Sequence, residues 1–195
     1  MNVVDSEDLG RFLAELRRET DRGLPLVAAA LVDEKLRDTL HAFFCTGKAA
    51  ERLLSVPYAP LGTLSARIEA CFALGLIDEF EYREISIIRK VRNAFAHSKH
   101  GISFEEARVR TLCASLQADL PQGEGYPIDE PRFRFINSTV WMVIRLYYRA
   151  AWVERERRQP KTWVEPEATR WRSIKDELPQ SDSPVLVIGR QRRPE

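Results

Sequence analysis

The stretch Ile87-Ile88-Arg89-Lys90-Val91-Arg92-Asn93-Ala94-Phe95-Ala96-His97-Ser98 decides how this chain is read. Ile85, Ile88, Arg92 and Phe95 recur at three- and four-residue spacing, the period of one helix face. That face is apolar apart from Arg92. A guanidinium beside a core must find carboxylates or a bound anion, because an unpaired charge there is costly. The segment reads as the last turns of an amphipathic helix held against a bundle, with one charge that something must answer.

Working outward, Asp78 is the expected cap of this helix, which runs to about His97, and the early acids Glu79 and Glu81 suit its positive end. Upstream, Leu64 to Leu74 forms a helix closed by Gly75. A short helix runs from Gly47 to near Ser55, bounded by Pro57 and Pro60. Leu26 to Phe44 is a longer helix with Pro25 in its first turn, and Ser6 to Arg22 opens the chain with Ser6 as cap. Downstream, Ser103-x-x-Glu106 has the spacing of a capping box and opens a helix to about Leu120. After a Gly- and Pro-rich loop, a final helix is expected from about Arg132 to Arg158. Phe133, Ile136, Val140, Ile144 and Tyr147 form one stripe on it; Trp141, Tyr148 and Trp152 form a second. A helix apolar over most of its circumference is buried on several sides, either at the bundle centre or in a subunit interface. We expect a homodimer.

No strand-like alternation precedes residue 160, so the fold class is all-α, a bundle of about six or seven helices with a short irregular C-terminal extension. Residues 1–158 form the expected helical domain and 159–195 a tail, where the composition turns to Pro, Glu, Arg and Ser.

Of 195 residues, 44% are hydrophobic and 30% charged, which excludes the disorder signature. The net charge of +1 provides no global basic field for nucleic acid, so any anion site is local. Cys45, Cys71 and Cys113 are odd in number and set in apolar contexts, the pattern of reduced, buried thiols. With three histidines and no Cys-x-x-Cys pair, no metal site and no cofactor are expected. Asp5, Glu7 and Asp8 do not read as a signal peptide, and Val140–Val153 carries Arg145 and Arg149, so no membrane association is expected. The expected location is cytoplasmic.

Two readings of Arg92, Asn93 and His97 stay open. In one, the arginine neutralises a phosphate and the histidine moves a proton, so that an RNA 2′-hydroxyl attacks its own phosphate without metal. Five helical residues turn through about 140° beyond a full turn, so Arg92 and His97 converge only if the helix frays or a second subunit contributes. In the other, Arg92 bonds a buried acid, Asn93 caps carbonyls and His97 faces the helix dipole. Arg67 and Arg89 also lie beside large apolar residues, with Asp21, Asp33 and Glu34 best placed to answer them. These form either an interhelical ion-pair network or an anion or sugar pocket. No helix pair carries a short glycine turn followed by a basic recognition face, so sequence-specific DNA binding by the chain alone is not expected.

Asp21-Arg22-Gly23, Val27 to Leu36, Ala59-Pro60-Leu61-Gly62-Thr63-Leu64-Ser65-Ala66-Arg67-Ile68, Ala73-Leu74-Gly75-Leu76-Ile77 and Ile88 to His97, taken in order, resemble the mannitol operon repressor family over roughly residues 6–118. The resemblance implies an all-helical regulator of sugar-uptake operons without a recognisable DNA-binding motif, acting through a protein partner or a small ligand. Arg92-Asn93-x-x-x-His97 also resembles the signature of HEPN domains, dimerising helical bundles that often act as metal-independent endoribonucleases. That likeness implies a catalytic role for Arg92, Asn93 and His97, with RNA as substrate. Trp171-Arg172-Ser173-Ile174-Lys175-Asp176-Glu177-Leu178-Pro179, followed by Pro184-Val185-Leu186-Val187, resembles the start of a short domain common in phage and prophage proteins, here ending soon after its first strand. The expected function is a regulator of the mannitol-repressor type, with the endoribonuclease as the alternative.

Overall fold

The helix α2 (Gly23–Phe43) is the hub of the computed structural model, which describes residues 6–55, 58–98, 101–121 and 123–163. Its Leu24, Ala28, Ala29, Val32, Leu36, Leu40 and Phe43 are all buried and make one broad face, opposite the exposed Leu26, Val27, Ala30 and Glu34. A helix with so wide an apolar face gains most when several helices pack along it. Accordingly α1 (Ser6–Arg18), α3 (Lys48–Leu54), α4 (Leu64–Ala73), α5 (Glu79–His97), α7 (Pro131–Tyr147) and α8 (Arg149–Val153) all pack on α2. The helix α6 (Ala107–Ala114) packs on α5 and α7 instead, and a 3₁₀ turn over Glu154–Glu156 follows α8.

The described residues contain no strand, and the architecture is an all-α bundle. None of their helices is long and apolar enough to cross a membrane. The chain divides into a unit of residues 1–159, which holds every helix named here, and a unit of residues 160–195. The segment Trp171–Val187, with its phage-associated resemblance, lies outside the described residues.

The helix α5 follows its sequence closely. Asp78 Oδ1 accepts the Glu81 N–H at 2.8 Å, and Glu81 Oε2 accepts the Asp78 N–H at 3.0 Å, a complete capping box. At its other end Phe95 is fully buried, 5.0 Å from the Phe104 ring, which lies 5.5 Å from Phe135 of α7. This aromatic chain holds the last turns of α5 against the bundle. Between α4 and α5, Gly75 has φ +70°, Leu76 N–H bonds Cys71 O at 2.8 Å, and Gly75 N–H bonds Phe72 O at 2.9 Å. The left-handed residue and paired 6→1 and 5→2 bonds make a Schellman stop.

Three expectations are corrected. The helix placed over 132–158 breaks at Tyr148 (φ −98°, ψ 2°), where the Tyr147 and Tyr148 rings meet edge to face at 5.1 Å. Beyond the break, Arg149 donates to Leu76 O at 2.6 Å and to Glu81, anchors that no periodicity in the segment itself reveals. The hub is α2, so the apolar circumference of α7 does not make it the central helix. Finally, Ser103 and Glu106 form no capping box. Ser103 Oγ accepts the Glu105 N–H at 3.2 Å, α6 starts at Ala107, and it ends at Ala114 instead of running to Leu120.

Candidate functional site

The site is built where α4 begins. Thr63 adopts extended backbone, and its Oγ accepts the Ala66 N–H at 3.2 Å, which fixes the helix start. The preceding turn closes with Gly62 N–H on Ala59 O at 2.8 Å, and a Cβ at Gly62 would stand 2.9 Å from that oxygen. Glycine is required there by close approach of the backbone.

One turn later comes Arg67, only 8% exposed. Its Nη1 donates to Asp33 Oδ2 at 2.6 Å, Nε to Leu61 O at 2.8 Å and Nη2 to Leu54 O at 3.3 Å. A single guanidinium thereby ties α4 to α2, to the loop before α4 and to the end of α3. The arrangement satisfies a buried charge with one carboxylate and two carbonyls.

Beside this tie lies a cleft of about 500 Å³ between α2, the start of α4 and α5. Leu26, Ala29, Ala30 and Asp33 line it from α2, Gly62 to Ser65 from the α4 start, and Arg89, Arg92 and Asn93 from α5. Its polar lining is dominated by donors. Arg92 Nη1 donates to Asn93 Oδ1 at 2.9 Å, a neutral acceptor. Neither Arg92 nor Arg89 has a carboxylate partner among the described residues. Asp33 is the only acid in the lining; its Oδ2 belongs to Arg67, and its Oδ1 is buried with no hydrogen-bond partner.

The other inward-reaching arginines behave differently. Arg132 bonds Asp21 Oδ1 at 3.1 Å. Arg145 and Arg149 converge on Glu81, which is fully buried, at 2.9 and 2.6 Å. Arg134 is held by two backbone carbonyls, Ile128 O and Leu116 O, whereas among the described residues the pair on the cleft wall has neither a carboxylate nor a backbone carbonyl partner.

The residues singled out in the sequence are thus distributed unequally. Asp33, Arg89, Arg92 and Asn93 meet at the cleft, with Arg67 locked behind Asp33. Asp21 answers Arg132 rather than Arg67 or Arg89, and Arg22 donates to Ser98 O at 3.1 Å, linking the start of α2 to the end of α5. His97 is exposed and absent from the cleft lining, and α5 runs unbroken through it, so no fraying swings it toward Arg92. The described residues hold no cluster of three or more histidines, cysteines or acids that could bind a metal. Sequence reasoning missed Thr63 and the weight carried by Glu81. The spacing Asp78-x-x-Glu81 is itself a capping-box signal, whereas the two arginines on Glu81 come from residues 64 and 68 positions away.

With fold and site in view, the bundle belongs to an architecture already seen in a helical protein of the MtlR kind. The MtlR chain in the X-ray structure of the MtlR–HPr complex from Escherichia coli is similar to it, with a TM-score of 0.51 and 22% sequence identity. The likeness covers 75% of this chain and 98% of that one. No protein-family model and no curated protein matches the chain.

Proposed function

We propose that this chain is a transcriptional regulator of the mannitol operon repressor type, acting through a protein partner instead of reading bases itself. The observation that carries the reading is the likeness to nearly the whole MtlR chain, a chain crystallised with HPr. It is supported by the motif string over residues 6–118 and by the near-neutral net charge of +1, which offers no global basic field for a duplex. In this reading the protein works in the cytoplasm as a homodimer, with residues 1–158 as the regulatory body and 159–195 as an appendage.

The test is direct binding of the full chain to the HPr of its own host by calorimetry, alongside mobility shifts with candidate operator DNA. Saturable binding to HPr with no sequence-specific shift is the expected pair of results. Tight, specific binding of one operator by the protein alone would overturn the reading. Cleavage of structured RNA in EDTA, lost in His97→Ala, would replace it with the endoribonuclease.

A further inference from the structure

The cleft between α2, α4 and α5 has a use that partner binding does not supply. We propose that it binds a small phosphate monoester of a hydroxylated compound, with Arg89 and Arg92 gripping the phosphoryl group. The inference stands on the cleft alone and does not depend on the regulatory reading.

Three observations carry it. First, the volume of about 500 Å³ falls within the roughly 300–1,000 Å³ usual for small-molecule sites. Second, two half-buried guanidiniums, one helical turn apart on α5, share the wall with no carboxylate partner among the described residues, while Arg67, Arg132, Arg145 and Arg149 each have one. Paired arginines whose acids are missing are arranged for an anion that arrives from outside. Third, apart from Asp33, the rest of the polar side-chain lining can also donate. Asn93 has its oxygen taken by Arg92 and keeps its amide N–H groups, and the hydroxyls of Thr63 and Ser65 stand at the start of α4. The positive end of that ten-residue helix adds to the same field.

The chemistry of the ligand follows from this inventory. A phosphate monoester carries close to two negative charges at neutral pH and three acceptor oxygens, matching two guanidinium forks better than a single carboxylate does. Leu26, Ala29 and Ala30 of α2 form a short apolar wall for the carbon skeleton, and the amide and hydroxyls suit its hydroxyl groups. Asp33 is kept from repelling the anion because Arg67 neutralises it at 2.6 Å.

Calorimetric titration of the full-length protein tests the proposal, with a hexitol phosphate, the same hexitol without phosphate, inorganic phosphate and a short single-stranded RNA as probes. The expected result is saturable binding of the hexitol phosphate, with the plain hexitol at least about tenfold weaker. Arg89→Gln and Arg92→Gln should each lower the affinity about tenfold or more, as charge-assisted bonds to phosphate predict. Arg83→Gln, an exposed change on the same helix, should leave it unaltered. Arg92→Lys keeps the charge and tests the fork, and an intermediate loss is expected. Thermal melts without ligand establish that each variant folds. No saturable binding of the ester, binding indifferent to both arginines, equal binding of the plain hexitol, or RNA binding through these arginines while the ester does not bind would each overturn the assignment.

Discussion

Arg67 and Arg92 carry the same group and lie on neighbouring helices, yet one is buried against a carboxylate and the other lines a cleft. Arg67 is buried and spends its donors on Asp33, Leu61 O and Leu54 O, so its removal strands a carboxylate and two carbonyls at once. Breaking a buried pair in this way costs about 3–5 kcal/mol. Arg67→Ala should lose about that much in urea unfolding at neutral pH, whereas Arg92→Gln should stay within about 0.5 kcal/mol of wild type. Equal losses in the two variants would mean that Arg92 is a structural tie as well. The thiols separate in the same way. Burial pushes Cys71 and Cys113 up to about 12, while Cys45 is partly exposed, which departs from the expectation of three buried cysteines. A disulfide reagent should therefore titrate one thiol per native chain and all three after denaturation.

At the scale of elements, the ends of helices hold the bundle together. The Asp78–Glu81 box starts α5, and the same Glu81 receives Arg145 from α7 and Arg149 from α8, so one helix N-terminus is the meeting point of three helices. One turn further on, the buried Glu84 accepts N–H bonds from Gln117 at 2.8 Å and Ala118 at 3.3 Å, securing the chain after α6. Burial raises the Glu84 carboxyl above its ordinary range, more than those two N–H donors lower it. With the folded pKa above the unfolded one, near 4.3, the native state holds the extra proton between the two values. The contribution of Glu84 to stability is therefore fully present below that window and declines as pH rises through it. Unfolding free energies measured from about pH 4 to about pH 7 should fall more steeply for wild type than for Glu84→Gln. Parallel curves would show that the buried carboxyl titrates normally.

For the molecule as a whole, the decisive fact is that α1, α3, α4, α5, α7 and α8 all pack on α2. A 21-residue helix spans about 30 Å, so its neighbours are joined through one rod. Leu36, fully buried at mid-length, is where truncation should be felt most widely. Leu36→Ala should cost about 2–5 kcal/mol and lower the midpoint of a single thermal transition recorded by circular dichroism. Two separate transitions would contradict a bundle built on one hub. The cleft depends on the same geometry, because its walls are three helices that meet only when α2 is packed.

Local order was legible in the sequence because its causes are local. The 3.6-residue period, Asp78, Gly75 and Gly47 place α5, the Schellman stop and the short α3 close to where they stand, and the face holding Ile85, Ile88 and Phe95 is the buried one. That Arg92 needs an answer to its charge, a carboxylate or a bound anion, was also readable from its apolar neighbours. Which acid meets which arginine was not. Asp33 and Arg67 lie 34 residues apart, and Asp21 and Arg132 lie 111 apart. Such pairs are set by how helices cross, and a pattern along the chain carries no record of that. Tertiary packing alone gave Asp33 to Arg67, kinked the last helix at Tyr148, left His97 outside the cleft and left Arg89 and Arg92 without an acid among the described residues, because each outcome depends on distances between helices and not on spacing within one.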